Sequence, residues 1–247
     1  MRMPAYEKRR MKRAAILPVS VRASARAAQV FLMPFEILLM TRSRLRSLSV
    51  AALLLAACAL GGCGEKAPRL APLPQDAVVL AFGDSLTFGT GAPPEASYPA
   101  VLQQLIGRKV WSAGVPGEVS AAGLARLPSA LDYYQPQLLV LCHGGNDFLR
   151  KLGDAQAAEN LRGMIRAARQ KGVNVLLIGV PKPGLFPVPP DFYADIAKEF
   201  GLPYEGTALK EILRDNELKS DIAHPNARGY AKLAAAVAAL MKKSGAL

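Results

Sequence analysis

Four short apolar runs that alternate with helical patterns constrain the fold of this chain most strongly. The runs cover residues 77–82, 109–115, 137–142 and 174–180. Runs of this length are typical of strands that are buried on both faces of a parallel sheet. The helical patterns cover residues 98–106, 120–134, 154–171 and 225–243. Strands that alternate with helices predict an α/β fold, namely a three-layer α/β/α sandwich around a mostly parallel, flavodoxin-like sheet.

The chain before residue 77 has a different pattern. Three arginines at positions 42, 44 and 46 precede an apolar run from Leu48 to Leu60. The length of this run fits the apolar region of a secretory signal peptide, about 7–15 residues, and is shorter than the ~20 residues that span a bilayer. The run ends in Leu60-Gly61-Gly62-Cys63, which resembles the lipobox of bacterial lipoproteins. An uncleaved signal anchor or a short buried helix is the alternative interpretation.

These features divide the chain into four segments. Residues 1–39 are interpreted as an upstream extension from a misplaced start codon, because Met40 stands just before the arginines. Residues 40–62 are the expected lipoprotein signal peptide. Cys63 is the expected lipid attachment site, in preference to Cys58, and residues 63–76 are a Pro-rich tether. Residues 77–247 form the expected folded domain.

The charge of the chain argues against a nucleic-acid-binding function. The formal net charge is +12, but most of the excess lies before residue 64, and the remainder has no dense basic stripe. The three cysteines are Cys58, Cys63 and Cys142. Their number excludes a disulfide framework, and no Cys/His cluster indicates a metal site.

A serine follows the first predicted strand, in Gly83-Asp84-Ser85-Leu86. Function in open α/β sheets is found at the carboxyl ends of the strands, so Ser85 is a candidate nucleophile. Thr87 replaces the last glycine of a Gly-x-Ser-x-Gly elbow, and no Gly-Lys-Ser/Thr follows, which excludes those two motifs. Taken alone, a serine in this position is more often a helix N-cap.

A nucleophilic serine needs a base, and the chain has two histidines, His143 and His224. Asp221 precedes His224 by one local turn, and a carboxylate so placed orients an imidazole and fixes its tautomer. The only acidic residue near His143 in the sequence is Asp147. A Cys142–His143 pair is geometrically poor because neighbours on a strand point to opposite faces. We therefore interpret His143 as structural.

Two further positions can stabilise negative charge on a reacting oxygen. Asn146 lies in Gly144-Gly145-Asn146-Asp147, directly after the third strand, and Gly117 follows the second. The Asn146 side chain and the Gly117 backbone N–H can both donate to an oxyanion. Because Gly, Asn and Asp are also the usual turn residues, simple turns remain the alternative.

Together and in this order, these motifs resemble those of the SGNH/GDSL hydrolases, in the bacterial thioesterase I/arylesterase branch. The matching blocks are residues 83–86, Gly117, residues 144–147 and residues 221–225. The resemblance implies that Ser85 is the nucleophile, His224 its base and Asp221 the partner of His224. It also implies an oxyanion hole of the Ser85 and Gly117 N–H groups and the Asn146 side chain, with no metal or cofactor. One departure is Ser112, which stands where the branch has Asn.

The implied activity is hydrolysis of carboxylic esters, of the arylesterase, acyl-thioesterase or lysophospholipase type. Leu185 and Phe186, in a Pro-rich segment after the fourth strand, form either an apolar wall for an acyl chain or part of a stiff connector. The alternatives are a carbohydrate or cell-wall O-acetylesterase and a non-enzymatic lipid-binding lipoprotein. Since Gly64 rather than Asp follows Cys63, we expect the protein to be anchored in the outer membrane and to face the periplasm. We also expect a monomer.

Overall fold

The apolar runs of the sequence form the strands of a parallel sheet. A computed structural model describes residues 68–247. The strands are β1 (Val78–Gly83), β2 (Lys109–Gly114), β3 (Leu138–Cys142), β4 (Asn174–Ile178) and β5 (Tyr204–Glu205). Their order in the sheet is β2-β1-β3-β4-β5, and every neighbouring pair is parallel. Every residue of β3 is buried, as expected for a strand that is covered on both faces.

Helices cover both faces of this sheet. They are α1 (Ser85–Phe88), α2 (Tyr98–Ile106), α3 (Ser120–Tyr134), α4 (Gly145–Leu149), α5 (Asp154–Gln170), α6 (Phe192–Phe200), α7 (Ala208–Arg214) and α8 (Ala227–Lys243). On one face α2 and α7 pack against α8, and on the other α3 and α6 pack against α5. This arrangement confirms the predicted α/β/α sandwich. Among the described residues, no helix combines the length and apolarity needed to cross a membrane.

The strand order places the functional end of the sheet between β1 and β3. The chain leaves β1 toward β2 on one side and later continues through β3 to β5 on the other. In doubly wound sheets, ligands bind in the crevice at the carboxyl ends of the strands where the order reverses. The segments that follow β1 and β3 contain Ser85 and Asn146.

The start of α8 differs from the sequence prediction. Pro225 was expected to begin this helix, but its first helical residue is Ala227 and its N-cap is Asn226. The Asn226 side chain accepts a hydrogen bond from the Gly229 N–H at 3.1 Å. An Asn cap satisfies one of the free N–H groups of the first turn, and it leaves His224 and Pro225 in the preceding loop.

The folded unit begins before residue 77, where the sequence predicts its start. Leu70 and Leu73 are buried, and their N–H groups donate to the carbonyls of Ser244 and Ala246, both at 2.9 Å. This part of the predicted tether therefore packs beside the C-terminal end of α8. The predicted extension, signal peptide and lipid attachment at Cys63 or Cys58 lie outside the described residues.

Candidate active site

Ser85 stands at the carboxyl end of β1, where the chain turns from the sheet into α1. It is the first residue of α1, and the N-cap is Asp84, whose Oδ1 accepts from the Leu86 N–H at 3.1 Å. The alternative interpretation of Ser85 as the cap is therefore wrong. Because Asp84 satisfies the helix end, the Ser85 hydroxyl is free to take another partner.

That partner is His224. The Ser85 Oγ lies 2.9 Å from His224 Nε2, although the two residues are 139 positions apart. On the other side of the ring, Nδ1 lies 2.8 Å from Asp221 Oδ2 and 3.0 Å from Oδ1. This chain of contacts places hydroxyl, imidazole and carboxylate in the order that activates a serine. The sequence analysis predicts that these three residues act together, and the structure places them in contact.

The Asp221 carboxylate is also bonded by its own loop. Its Oδ1 accepts from the N–H groups of Ala223 at 2.7 Å and His224 at 2.8 Å. Burial by itself would raise the pKa of Asp221, but these backbone hydrogen bonds and the contact with His224 lower it below its ordinary value of 3.8. Asp221 is therefore a carboxylate at neutral pH, although its side chain is half exposed.

Gly91 allows the loop after β1 to approach the histidine loop. Its φ is +97°, and a Cβ at this position would lie 2.1 Å from Ser220 Oγ and 2.6 Å from the Pro225 carbonyl oxygen. A side chain here would force the two loops apart. The close contact between these loops keeps Ser85 within reach of His224.

Asn146 lies in α4, directly after β3. Its side-chain Nδ2 donates to the Glu118 carbonyl at 3.0 Å. The next residue, Asp147, is buried and accepts from the N–H of Ser120 at 2.8 Å and from its hydroxyl at 2.6 Å. These bonds attach α4 to the first turn of α3, so the segment that the sequence allowed to be a simple turn is a short, fixed helix.

Gly117 lies in the turn between β2 and α3, with φ +77°. Its carbonyl accepts from Arg150 Nη2 at 2.8 Å, and the following residue, Glu118, contacts Asn146. Gly117 does not line the cleft that holds Ser85, Asn146 and His224. Its predicted role as an oxyanion donor therefore stays a prediction.

His143 is fully buried, as expected of a structural residue. Its Nε2 lies 3.1 Å from Glu118 Oε2, 25 positions upstream, rather than near Asp147. Its Nδ1 accepts from the Gly144 N–H at 2.9 Å, so neither ring nitrogen is left for Cys142. Burial also raises the pKa of the Cys142 thiol well above its ordinary value. Cys142 is therefore uncharged and unsuited to nucleophilic attack.

Asp84 is a buried acid to which the sequence analysis assigns no role. It is 1% exposed, and its Oδ2 has no hydrogen-bond partner among the described residues. Burial raises the pKa of Asp84. The nearby rings of His143 and His224 and the hydrogen bond from the Leu86 N–H act in the opposite direction and lower it in part. Asp84 lines the cleft beside Ser85, so its state of ionisation affects the field at the nucleophile.

The cleft above Ser85 has mostly apolar walls. It is lined by Asp84, Ser85, Leu86, Gly145, Asn146, Leu149, Val180, Pro181, Pro183, Leu213, Ala223 and His224. Leu213 also lines a wider groove, of about 760 Å³, together with Leu185, Phe186 and Ile222. These last three side chains are 86%, 76% and 65% exposed. The Pro-rich segment after β4 thus contributes to both cavities, as the apolar-wall interpretation requires.

Residues 68–247 contain no group of three or more His, Cys, Asp or Glu side chains that would hold a metal ion. The hydroxyl of Ser85, the imidazole of His224 and the amide of Asn146 line the cleft, and the carboxylate of Asp221 contacts the imidazole from behind. Together they can deprotonate the hydroxyl, hold the resulting imidazolium and donate a hydrogen bond to a carbonyl oxygen.

Comparison with known proteins identifies relatives of this architecture. Residues 81–232 match the model of the GDSL-like lipase/acylhydrolase family. Esterase TesA of Pseudomonas aeruginosa is 34% identical over 138 residues, which cover 54% of this chain and 66% of that relative. The thioesterase 1/protease 1/lysophospholipase L1 of Escherichia coli is 31% identical over 156 residues, which cover 60% of this chain and 75% of that relative.

A solved structure agrees with the sequence matches. The crystal structure of TesA superimposes with a TM-score of 0.62 at 28% sequence identity, and the match covers 68% of this chain and 99% of that chain. The likeness therefore extends over almost the whole of the TesA chain.

Proposed function

The chain belongs to the GDSL-like lipase/acylhydrolase family, and from this premise we propose that it is a serine esterase for aryl and acyl carboxylic esters. The observation that carries the proposal is the contact chain from Ser85 through His224 to Asp221, of which Ser85 and His224 line a mostly apolar cleft. Thioesters and lysophospholipids are included as candidate substrates, because the relatives bear those names.

In the proposed reaction, His224 Nε2 takes the proton from Ser85 as Oγ attacks the ester carbonyl carbon. The negative charge moves to the carbonyl oxygen, where the Asn146 amide and the Ser85 and Gly117 N–H groups donate to it. The alcohol leaves with the proton from His224. Water, activated by the same imidazole, then releases the acid from the acyl-enzyme and restores the Ser85 hydroxyl.

The groove beyond Leu213 supports an acyl substrate over an acetylated sugar. Leu185 and Phe186 present apolar side chains next to the cleft and are more than three-quarters exposed. An acyl chain that lies against them removes apolar surface from water, which contributes about 25 cal/mol per Å². An acetyl group is too short to use this surface.

Hydrolysis of p-nitrophenyl esters from acetate to palmitate tests this function. We expect kcat/KM to rise from acetate to medium-length chains, and Phe186→Ala to lower it about 10-fold for the longer esters while acetate is unaffected. Tyr133→Ala is the matched control, because Tyr133 is an equally exposed aromatic residue on α3. Turnover of acetylated sugars together with inactivity on all longer esters would instead favour the O-acetylesterase.

We also propose that Cys63 is lipidated and that the protein faces the periplasm. The proposal is supported by the lipobox-like Leu60-Gly61-Gly62-Cys63 and by the signal-peptide length of the apolar run before it.

Mass spectrometry of the mature N-terminal peptide checks the anchor. We expect a diacylated or triacylated Cys63, and we expect Cys63→Ser to remain unprocessed and unlabelled by radioactive palmitate. Cys58→Ser serves as the control and should incorporate the label normally. Loss of the label in Cys58→Ser alone would move the attachment site to Cys58.

A further inference from the structure

The Glu118 carboxylate is buried beside the active site, yet the proposed reaction gives it no task. Glu118 follows Gly117 in the turn between β2 and α3, and its side chain is 7% exposed. Arg126 donates to it from Nε at 2.9 Å and from Nη2 at 2.7 Å. His143 Nε2 lies 3.1 Å from the same carboxylate. An unpaired buried charge is strongly destabilising, so these contacts depend on one another.

The contacts keep Glu118 ionised. Burial alone would raise the pKa of Glu118, but the hydrogen bonds from His143 and Arg126 outweigh it and lower the pKa to about 2. The bond from the Gly144 N–H to His143 Nδ1 assigns the ring proton to Nε2, which donates to Glu118. Gly123 leaves room for this ring, because a Cβ there would lie 2.3 Å from Nε2.

The backbone of Glu118 holds the side chain that we place in the oxyanion hole. Its carbonyl accepts from Asn146 Nδ2 at 3.0 Å. An amide nitrogen has two N–H groups in a fixed plane. When one of them is bonded to Glu118, the direction of the other is determined, and Asn146 lines the same cleft as Ser85.

The Glu118 contacts also connect three neighbouring strands. Arg126 Nη2 donates to the Ala113 carbonyl of β2 at 3.1 Å, and its guanidinium carbon lies 4.2 Å from the centre of the Phe82 ring of β1. His143 directly follows β3. The segments that contain Ser85, Gly117 and Asn146 directly follow these same three strands.

We propose that Glu118 is a positioning residue for ester hydrolysis, which acts through the side chain of Asn146. Its carboxylate, fixed by Arg126 and His143, sets the position of its own carbonyl and so the direction of the free Asn146 N–H. It does not touch the substrate. The inference rests on the proposed esterase function.

A double-mutant cycle on the purified full-length protein tests this role. Glu118→Gln replaces one acceptor oxygen by an NH₂ group that faces the donors of Arg126 or His143. We expect kcat to fall about 10–100-fold with KM within about twofold, because a displaced oxyanion donor affects the transition state rather than the ground state. In an Asn146→Ala background the same substitution should lower kcat less than about threefold.

Glu199→Gln is the matched control, since Glu199 also accepts from an arginine, Arg162 Nε at 2.7 Å, but on the surface. Should Glu118→Gln fail to fold, Arg126→Lys replaces it in the cycle and is expected to lower kcat about 10-fold.

An equal loss of kcat in the wild-type and Asn146→Ala backgrounds would overturn the inference, as would a loss that only follows the folded fraction measured by circular dichroism. The proposed function is tested separately. Full activity of a Ser85→Ala protein would refute it, whatever the activity of Glu118→Gln.

Discussion

Ser85→Ala is expected to lower kcat for ester hydrolysis by about 10⁴–10⁶-fold, leaving only the rate that substrate binding and the oxyanion donors support. The physical reason is the loss of the nucleophilic oxygen, the Oγ that lies 2.9 Å from His224 Nε2. Without it, no acyl-enzyme can form, and water must attack the ester directly. The measurement is steady-state hydrolysis of a p-nitrophenyl ester, with Tm recorded to show that the variant is folded.

Covalent labelling gives an independent measure of the same residue. A fluorophosphonate should label the wild-type protein once, at Ser85, and should not label Ser85→Ala. Ser129→Ala, on the exposed side of α3, is the control and should be labelled like the wild type. Undiminished labelling or turnover of Ser85→Ala would place the nucleophile elsewhere and refute the proposed mechanism.

The parts of the fold that sequence could predict are those with strong local signals. Residues 138–142 form an unbroken apolar run, and α5 has one apolar face with Gly172 just past its end. The Asp221–His224 contact is equally local, because three residues separate its partners. Such elements are determined by side chains that are close in sequence, so their pattern is visible before folding.

The unpredicted parts depend on contacts between distant segments. The strand β5 has only two residues, too few for a period-2 pattern to be read. Asp147 is the one acidic residue near His143 in the sequence, whereas the partner of His143 in the structure is Glu118, because β2 and β3 flank β1 in the sheet. Leu70 and Leu73 lie in a Pro-rich stretch typical of a tether, but they are buried and their N–H groups donate to residues just past α8, which are distant in sequence.

A second large effect on kcat is expected at Asp221, where Asp221→Asn should be more harmful than Asp221→Ala. Asp221 Oδ1 accepts from the N–H groups of Ala223 and His224, while Oδ2 accepts from the His224 ring. In Asp221→Asn the remaining oxygen is needed by the two backbone donors. The amide NH₂ group must then face His224 Nδ1 and donate to it. This contact stabilises the tautomer whose proton is on Nε2, which cannot accept the proton of Ser85.

Asp221→Asn is therefore expected to lower kcat about 10⁴-fold, and to lower it more than Asp221→Ala does. Alanine removes the carboxylate but leaves Nδ1 open to water, because the Asp221 side chain is half exposed. Water can donate or accept and so permits the reactive tautomer. The ranking of the two variants on a p-nitrophenyl ester is the measurement.

Asp215→Asn is the control for this comparison, because Asp215 Oδ1 likewise accepts a backbone N–H, that of Glu217 at 2.8 Å, without a histidine partner. It should retain wild-type activity. If Asp221→Ala proved less active than Asp221→Asn, the amide would retain part of the function of the carboxylate, namely holding the His224 ring in place. In that case the two backbone donors would not determine the orientation of the amide, and tautomer control at His224 would be excluded as the main role of Asp221.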